Sequence, residues 1–191
     1  MELIETIKIE NGDIENIEYH QKRFDASRKK LFCKITPIDL LNIIVPPISG
    51  LYRCRILYDK KIKSIQYLPY RPKTFKNFKI AVSNIDYTFK YSDRSKLEDL
   101  KAQYPLFDEI IIEKDGMLTD TTISNIAFFD GEKWITPAKA LLKGTMRAKL
   151  LDDGFLSEQD IKTEDIKNFK RFALLNAMLG FREIENYYIE N

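Results

Sequence analysis

The 191-residue sequence predicts an α+β fold, and the order of its elements is the main reason. Runs of β-favouring residues and helical patterns occur in both halves of the chain, which favours α+β over a doubly wound parallel sheet. A stiff Pro-Tyr-Arg-Pro segment at residues 69–72 can form few ladder hydrogen bonds and is the best linker candidate. We therefore expect a small N-terminal domain, residues 1–70, and a larger C-terminal α+β domain, residues 71–191.

The first half is predicted to begin with a hairpin. Residues 3–9 alternate apolar and polar side chains as a strand does, and Asn11-Gly12 supplies a turn into a strand at residues 14–17. The remaining elements predicted in this half are a helix at residues 18–32, a short helix from Pro37 to residue 44, and strands at residues 50–58 and 62–68.

The second half contains a predicted meander. Asp115-Gly116 and Asp130-Gly131 separate its apolar runs, and Asp-Gly favours type I′ turns because both central residues need a positive φ. The Leu-Thr-Asp-Thr-Thr sequence at residues 118–122 does not resemble an ordinary strand and indicates polar groups held inside a sheet. Strands are predicted at residues 78–83, 110–112, 123–129, 134–135, 172–175 and 181–184, and helices at 93–104, 145–152 and 163–169.

The composition argues against several classes of function. A net charge of +2 is too small to indicate a nucleic-acid or membrane-surface partner. No apolar run approaches the roughly 20 residues of a membrane helix, and the first residues lack the features of a secretory signal. Two cysteines, Cys33 and Cys54, are too few for a disulfide framework or a convincing zinc site. We expect a cytoplasmic protein with reduced thiols and no metal.

Taken singly, the residues that could carry chemistry give weak signals. Lys90 lies among aromatic residues that could desolvate its amine and suit it to Schiff-base chemistry, although most lysines extend into solvent. His20 is the only histidine, and packing or capping near a helix start is the alternative to a catalytic role. Gly144, at the start of a predicted helix, could leave backbone N–H groups free to bind an anion.

In combination, these residues and several others resemble the class IV aminotransferases, the fold-type IV group of pyridoxal-phosphate enzymes. The group includes branched-chain and D-amino-acid aminotransferases and 4-amino-4-deoxychorismate lyase. The resemblance spans nearly the whole chain and implies a D-amino-acid aminotransferase-like architecture of two domains. The matching residues, in order, are Glu5-Thr6, His20-x-x-Arg23, Lys90, Thr119-Asp120, Ser124-Asn125, Gly144-x-x-Arg147 and Asn176-Ala177.

The resemblance implies pyridoxal 5′-phosphate as the cofactor and a role for each residue. Lys90 would bind the cofactor covalently and shuttle the proton of the substrate Cα. Asp120 would face the pyridine nitrogen and keep it protonated. Arg23 would bind the phosphate through its guanidinium group. The other cofactor candidates are Ser124, Asn125, the backbone N–H groups of Thr145 and Met146, and Asn176, and the substrate candidates are Thr6, Arg53, Arg55 and Arg94.

Three departures from the family pattern are visible. Asp120 is one methylene shorter than the usual glutamate, so contact with the ring nitrogen would need a shifted strand or a water molecule. The usual tyrosine after the lysine is not evident, and Arg94 is the nearest side chain to that place. The chain starts at residues 3–9, where family members have an additional hairpin and an Asp-Arg-Gly loop. We therefore expect a trimmed small domain.

Within the family, the Gly-Thr-Met-Arg and Asn-Ala-Met sequences are more similar to the lyase than to the aminotransferases. The lyase would release pyruvate from 4-amino-4-deoxychorismate and leave 4-aminobenzoate for folate synthesis. Two alternatives remain: an aminotransferase acting on D-amino or branched-chain amino acids, and a non-catalytic protein that keeps the fold. The resemblance also implies an amine or amino-acid substrate and a homodimer in which the neighbouring subunit completes the active site.

Overall fold

The computed structural model describes all residues from 1 to 191 and confirms the α+β class, with strands and helices in two compact units. Unit 1 contains Met1–Pro72 and Phe89–Asp93, and unit 2 contains Lys73–Thr88 and Arg94–Asn191. The predicted division put Lys90 in the C-terminal domain. In the structure its segment instead packs with unit 1, because backbone hydrogen bonds join it to the first strand.

Unit 1 is a four-stranded antiparallel sheet with two helices. Its elements are β1 (Leu3–Glu10), β2 (Asp13–Ile14), α1 (Ile17–Leu31), α2 (Leu40–Ile43), β3 (Leu51–Tyr58) and β4 (Ile62–Pro69). The strand order is β2-β1-β3-β4. Helix α1 buries His20, Phe24, Ser27 and Arg28, a spacing that places all four on one helical face.

The segment that carries Lys90 adds a short bridge to β1. Leu3 pairs with Tyr91, the N–H of Ile4 donates to the carbonyl of Lys90 at 2.9 Å, and the N–H of Ser92 donates to the carbonyl of Glu2 at 3.0 Å. These two bonds flank the Leu3–Tyr91 pair, as expected for an antiparallel pair of the non-hydrogen-bonded type. The backbone of Lys90 is therefore fixed beside Ile4, one residue before Glu5.

Unit 2 is built around a large mixed sheet. Its elements are β5 (Asn77–Val82), α3 (Ser95–Ala102), β6 (Glu109–Lys114), β7 (Met117–Thr121), β8 (Asn125–Phe129), β9 (Trp134–Pro137), α4 (Thr145–Asp152), β10 (Leu156–Gln159), a 3₁₀ helix (Thr163–Asn168), β11 (Arg171–Asn176), β12 (Gly180–Ile184) and β13 (Tyr188–Glu190). The strands run in the order β10-β9-β8-β7-β6-β5-β13, and β11 pairs with both β8 and β12.

Strand β8 is buried on both faces and determines where α4 packs. Ile126 and Phe128 lie in the core cluster on one side, and Ala127 and Phe129 pack in the cluster on the other. Ala127 pairs with Ala173 of β11, and both are fully buried in the cluster that contacts Met146 and Leu150 of α4. Because side chains two positions apart share a face, Asn125 lies on the same side of the sheet as Ala127.

The turns follow the predicted chemistry in two cases and differ in a third. Asn11-Gly12 and Asp115-Gly116 both have two consecutive positive φ angles, 50° with 92° and 53° with 74°, as type I′ turns require. The predicted type I′ turn at Asp130-Gly131 is wrong, because only Gly131 has a positive φ. There the Asp130 carboxylate accepts the N–H groups of residues 132 and 133 and sets the loop instead.

Several predicted boundaries are also corrected. Residues 117–121 form a strand, β7, whose pairing with β6 has a register shift, and the expectation that their polar groups are held inside the sheet is confirmed. The strand predicted to start at residue 123 starts at Asn125, because Thr121 and Ser124 bond to each other across a tight turn. Helix α2 starts at Leu40, where Asp39 caps the N–H of Leu41, and not at Pro37.

Candidate active site

The candidate residues of unit 1 form a buried group that we call the lysine cluster: Glu5, His20, Arg23 and Lys90. Glu5 is completely buried on β1. Its carboxylate accepts from Nε of Arg23 at 2.9 Å, from Nη2 of Arg23 at 2.5 Å and from Nδ1 of His20 at 2.6 Å. His20 and Arg23 lie three residues apart on α1, so one helical face presents both to the same acid.

Burial and charge act in opposite directions on Glu5. Burial raises its pKa, but the Arg23 charge and the hydrogen bonds from His20 and Arg23 outweigh burial and hold the pKa at about 2. Glu5 is therefore a carboxylate and can only accept hydrogen bonds. The proton of the bond to His20 must lie on Nδ1 of the imidazole.

His20 is fully buried, and burial lowers its pKa below the ordinary 6.5, while the bond to Glu5 opposes that shift. A neutral ring with its proton on Nδ1 leaves Nε2 as an acceptor. The charge of Lys90 also lowers the pKa of His20, which places the amine within electrostatic range of the ring. The backbone of the half-buried Lys90 thus lies beside Ile4, next to Glu5, and the charge of Lys90 disfavours the protonated form of His20.

The predicted substrate residues of unit 1 lie on the other face of the sheet. Along β1, Leu3, Glu5 and Ile7 point toward the core, so Thr6 faces the opposite way. Thr6 pairs with Arg55 of β3 in the sheet register, and Arg53, two residues away, stacks on the ring of Tyr70 at 5.0 Å. Contact of these side chains with substrate stays a prediction.

In unit 2, two facing side chains hold a third residue. Asp120 of β7 pairs with Asn125 of β8, and its Oδ1 accepts from Nδ2 of Asn125 at 2.8 Å. Oδ2 of Asp120 accepts the N–H of Leu142 at 2.7 Å, and Nδ2 of Asn125 donates to the carbonyl of Leu142 at 2.7 Å. Both backbone polar groups of Leu142, its N–H and its carbonyl, are therefore bound by this pair, which we call the Asp120–Asn125 clamp.

The environment of Asp120 differs from that of Glu5. The side chain is nearly fully buried, and burial raises its pKa to about 7, against the opposing hydrogen bonds from Leu142 and Asn125 and the charge of Arg147. Both oxygens are directed to protein donors. The expected contact of Asp120 with a pyridine nitrogen stays a prediction, and the geometry gives this carboxylate a local partner for each oxygen.

The start of α4 forms the candidate phosphate site. Gly144 is its N-cap residue and forms no side-chain cap, so the first N–H groups of the helix, including those of Thr145 and Met146, have no acceptor one turn earlier within the helix. A Cβ at Gly144 would lie 2.0 Å from Oδ1 of Asn125, so only glycine fits there. Arg147 is buried and donates to the carbonyl of Pro137 at 2.9 Å.

Asn176 and Ser124 lie together beside the turn that follows β11. Nδ2 of Asn176 donates to Oγ of Ser124 at 2.8 Å, and Oδ1 of Asn176 accepts the N–H groups of Met178 and Leu179. The amide thus shapes its own turn, and its expected phosphate contact stays a prediction. Ser124 is buried, with its N–H bonded to Oγ1 of Thr121 at 3.0 Å.

Arg94, the remaining substrate candidate, lines a cavity of about 730 Å³ within unit 2. Its guanidinium donates to the carbonyl of Thr122 at 2.9 Å and to the hydroxyl of Tyr87 at 3.3 Å. The same cavity is lined by Lys73 and Lys101 and by a buried acid, Glu109, whose pKa is raised by burial. Two further acids, Glu98 and Asp108, bring the wall to three acids and three cations, so charge alone selects no ligand.

Glu5 is part of the motif that matches the family, but no role was predicted for it. A signal was available, because strict alternation along β1 places a charged residue in the buried register between Leu3 and Ile7. A charge in that register predicts a buried partner. The roles of Leu142 and Gly144 in the clamp had no local signal, since they depend on a contact between residues 22 positions apart.

Comparison with known proteins identifies the class. The family described as "Amino-transferase class IV" matches residues 55–187, and the chain belongs to that family, whose members are pyridoxal-phosphate-dependent enzymes. A Haemophilus influenzae protein of unknown function is 41% identical over 184 residues, which cover 93% of this chain and 98% of that protein. A Schizosaccharomyces pombe protein named "Putative aminodeoxychorismate lyase" is 26% identical, covering 84% of this chain and 66% of that one.

Solved structures agree with this assignment. A crystal structure from Haemophilus somnus 129pt, described as "a putative 4-amino-4-deoxychorismate lyase", is 40% identical with a TM-score of 0.88, covering 94% of this chain and 97% of that one. A Mycobacterium tuberculosis "hypothetical aminotransferase" in its pyridoxal-phosphate-bound form is 13% identical with a TM-score of 0.76, covering 97% and 81%. The second likeness concerns the fold alone. The expectation of a fold-type IV architecture is confirmed.

None of the helices has the length and apolar character needed to cross a bilayer. No group of three or more His, Cys, Asp or Glu side chains is arranged to hold a metal ion.

The single histidine offers a direct test of the lysine cluster. We expect its imidazole to titrate below pH 6.5 and to carry its proton on Nδ1, because burial disfavours the charged ring and Glu5 accepts from that nitrogen. Nitrogen NMR chemical shifts of His20, recorded between pH 5 and 8 (roughly the histidine range), measure both properties. A ring protonated on Nε2 at neutral pH would contradict the geometry.

Gly144→Ala should destabilise the protein by about 1–3 kcal/mol, because the new methyl group overlaps Oδ1 of Asn125. The φ of −70° at this position suits any residue, so backbone strain adds nothing. Denaturant unfolding of both single variants and of Gly144→Ala with Asn125→Ala measures the coupling. Gly144→Ala should cost clearly less when Asn125 is alanine, and equal costs in both backgrounds would refute the overlap.

Asp120 should make stability fall as the pH rises. The pKa of Asp120 is 3.8 in the unfolded chain and about 7 in the folded protein. As the pH rises between these values, the unfolded chain loses the proton first, and folding becomes progressively less favourable. The melting temperature of the wild type should therefore fall relative to that of Asp120→Asn as the pH rises from about 4 to 8. Glu5 cannot mimic the trend, because its depressed pKa adds stability above 4.5 that is lost only as the pH falls toward 2. Parallel curves for the two proteins would contradict the raised pKa of Asp120.

Proposed function

We propose that this protein binds pyridoxal 5′-phosphate and acts as a 4-amino-4-deoxychorismate lyase, releasing pyruvate and 4-aminobenzoate. The observation that carries the proposal is the lysine cluster, in which Arg23 binds the buried Glu5 and the backbone of Lys90 is bonded to Ile4, the residue before Glu5. The similarity of 40% to a structure described as such a lyase supports the choice of reaction.

Each unit, taken by itself, presents groups whose chemistry suits the cofactor. Unit 1 offers a primary amine at Lys90 and a guanidinium at Arg23, which Glu5 holds through Nε and Nη2. Unit 2 offers the start of α4, where the backbone N–H groups of the first turn and the helix dipole favour an anion. When bound, pyridoxal phosphate supplies an electron sink for the charge left at the substrate Cα.

Each of the chain's own residues would then have a separate role. Lys90 would hold the aldehyde carbon of the cofactor and move the proton at the substrate Cα. Glu5 would fix the Arg23 guanidinium so that it meets the phosphate without losing rotamer entropy at that moment. The phosphate would also meet the N–H groups of Thr145 and Met146, near Ser124 and Asn176.

The finer parts of the proposal rest on the family resemblance. The substrate would be a small amine with carboxylate groups, contacted by Thr6, Arg53 and Arg94. The enzyme would be a cytoplasmic homodimer that contributes to folate biosynthesis. An aminotransferase acting on D-amino or branched-chain amino acids is the second candidate, favoured by the description of the matching family itself.

The cofactor test uses the purified protein mixed with pyridoxal phosphate. The wild type should develop the visible absorbance of a lysine-bound cofactor, and Lys90→Ala should not. Lys96→Ala removes an exposed lysine six positions away and should behave as wild type. Visible absorbance that survives in Lys90→Ala would remove Lys90 from the role of cofactor lysine.

The reaction test separates the two candidates by their co-substrates. The lyase should form pyruvate from 4-amino-4-deoxychorismate without any amino acceptor, and Lys90→Ala should lower that rate about 10²–10⁴-fold through loss of the base. A reaction that depends on 2-oxoglutarate would identify an aminotransferase. Product mass analysis after incubation with each substrate measures both.

A further inference from the structure

We propose that Asp120 is a positioning residue: with Asn125 it clamps the Leu142 peptide and so fixes the first turn of α4, where the phosphate of the cofactor would bind. The role in phosphate binding rests on the proposed function, whereas the clamp itself does not. This differs from the role that the family resemblance implies for an acid at this position, which is contact with the pyridine nitrogen.

The donors and acceptors of the clamp are paired with one another. Leu142 presents one N–H and one carbonyl, and the two facing side chains satisfy both at 2.7 Å each. Asp120 and Asn125 also bond to each other at 2.8 Å, so the three groups form a closed ring of hydrogen bonds. A closed ring fixes the peptide in position and in orientation.

Leu142 lies just before the start of α4 in the chain. It precedes Gly144, the N-cap of α4, by two residues, and Gly144 lies against the same Asn125 side chain. Nδ2 of Asn125 thus holds the Leu142 carbonyl while Oδ1 fills the space where a side chain at position 144 would be. Any movement of Asn125 changes the direction in which the chain enters α4 and hence the direction of its first N–H groups.

Both side chains of the clamp are buried. Asp120 and Asn125 are only 4% and 5% exposed, and both lie in strands of the central sheet. A clamp built on neighbouring strands is more rigid than one built on loops.

The clamp is tested first in the protein without cofactor, by amide hydrogen exchange at Leu142. Asp120→Asn should raise the exchange rate of this N–H about ten- to a hundredfold. The reason is that an amide, whose NH2 group donates, then replaces a carboxylate that accepts the hydrogen bond. Thr119→Val is the matched control, because it removes a buried hydrogen bond from the same strand that does not reach Leu142. Unchanged exchange at Leu142 in Asp120→Asn would overturn the proposal.

The consequence for the cofactor is tested by comparing pyridoxal phosphate with pyridoxal, which lacks the phosphate group. If Asp120 acts through α4, Asp120→Asn should weaken binding of pyridoxal phosphate at least about tenfold and leave pyridoxal within about twofold. If Asp120 instead contacts the ring nitrogen, both ligands should weaken alike, which overturns the positioning role.

A second variant guards against poor folding of Asp120→Asn. Asn125→Ala releases the Leu142 carbonyl and leaves the carboxylate of Asp120 in place. The proposal expects the same selective loss of pyridoxal phosphate binding, and a variant that binds both ligands as the wild type does would refute it. A wild-type protein that binds neither ligand would end the proposed function, and the exchange rate of Leu142 would still decide the clamp.

Discussion

The buried carboxylate of Glu5 is the constraint on which the organisation of unit 1 depends. A charge at the centre of a strand, with no access to water, is stable only if its partners satisfy it completely. Arg23 supplies a two-point contact and His20 a third bond, so α1 can pack on the sheet in only one rotation. Removing one partner of such a pair generally costs about 3–5 kcal/mol, since the other charge is then left buried and alone.

Unit 2 also buries an acid, Asp120, but its hydrogen-bond partners are uncharged. Asp120 is as deeply buried as Glu5, but no guanidinium contacts it, and its hydrogen bonds come from an amide and a peptide N–H. The pKa values of the two acids consequently shift in opposite directions, to about 2 and about 7. The first acid keeps its charge throughout the physiological range, whereas the second gains and loses its proton within it.

The sequence predicted the local structure where the physical cause is local. Asn11-Gly12 and Asp115-Gly116 form the expected turns because two adjacent residues suffice to determine them. It did not predict that the segment of Lys90 joins β1, because that bridge pairs residues 3 and 91 and depends on the finished sheet. The strands β10 and β13 were missed for a related reason: both pair in parallel with distant partners, and neither has an alternating pattern of its own.

The same limit applies to the candidate site. The motif at residues 119–125 identified the correct residues, but spacing could not reveal that their side chains bind Leu142. Family resemblance supplied roles, and the contacts of each side chain decide which roles the local geometry favours. Asn176 and Arg147 show the difference, since each matches the family pattern and each also has a structural task in its own turn or helix.

The path of the chain has a consequence for how this protein could have been assembled in evolution. It enters unit 2 at Lys73, returns to unit 1 for only five residues, and leaves again at Arg94. Those five residues carry the amine and also cover the otherwise open edge of β1 at its first residues. No single cut of the gene yields both units whole, so the exchange of one complete unit would need cuts at three places in the gene.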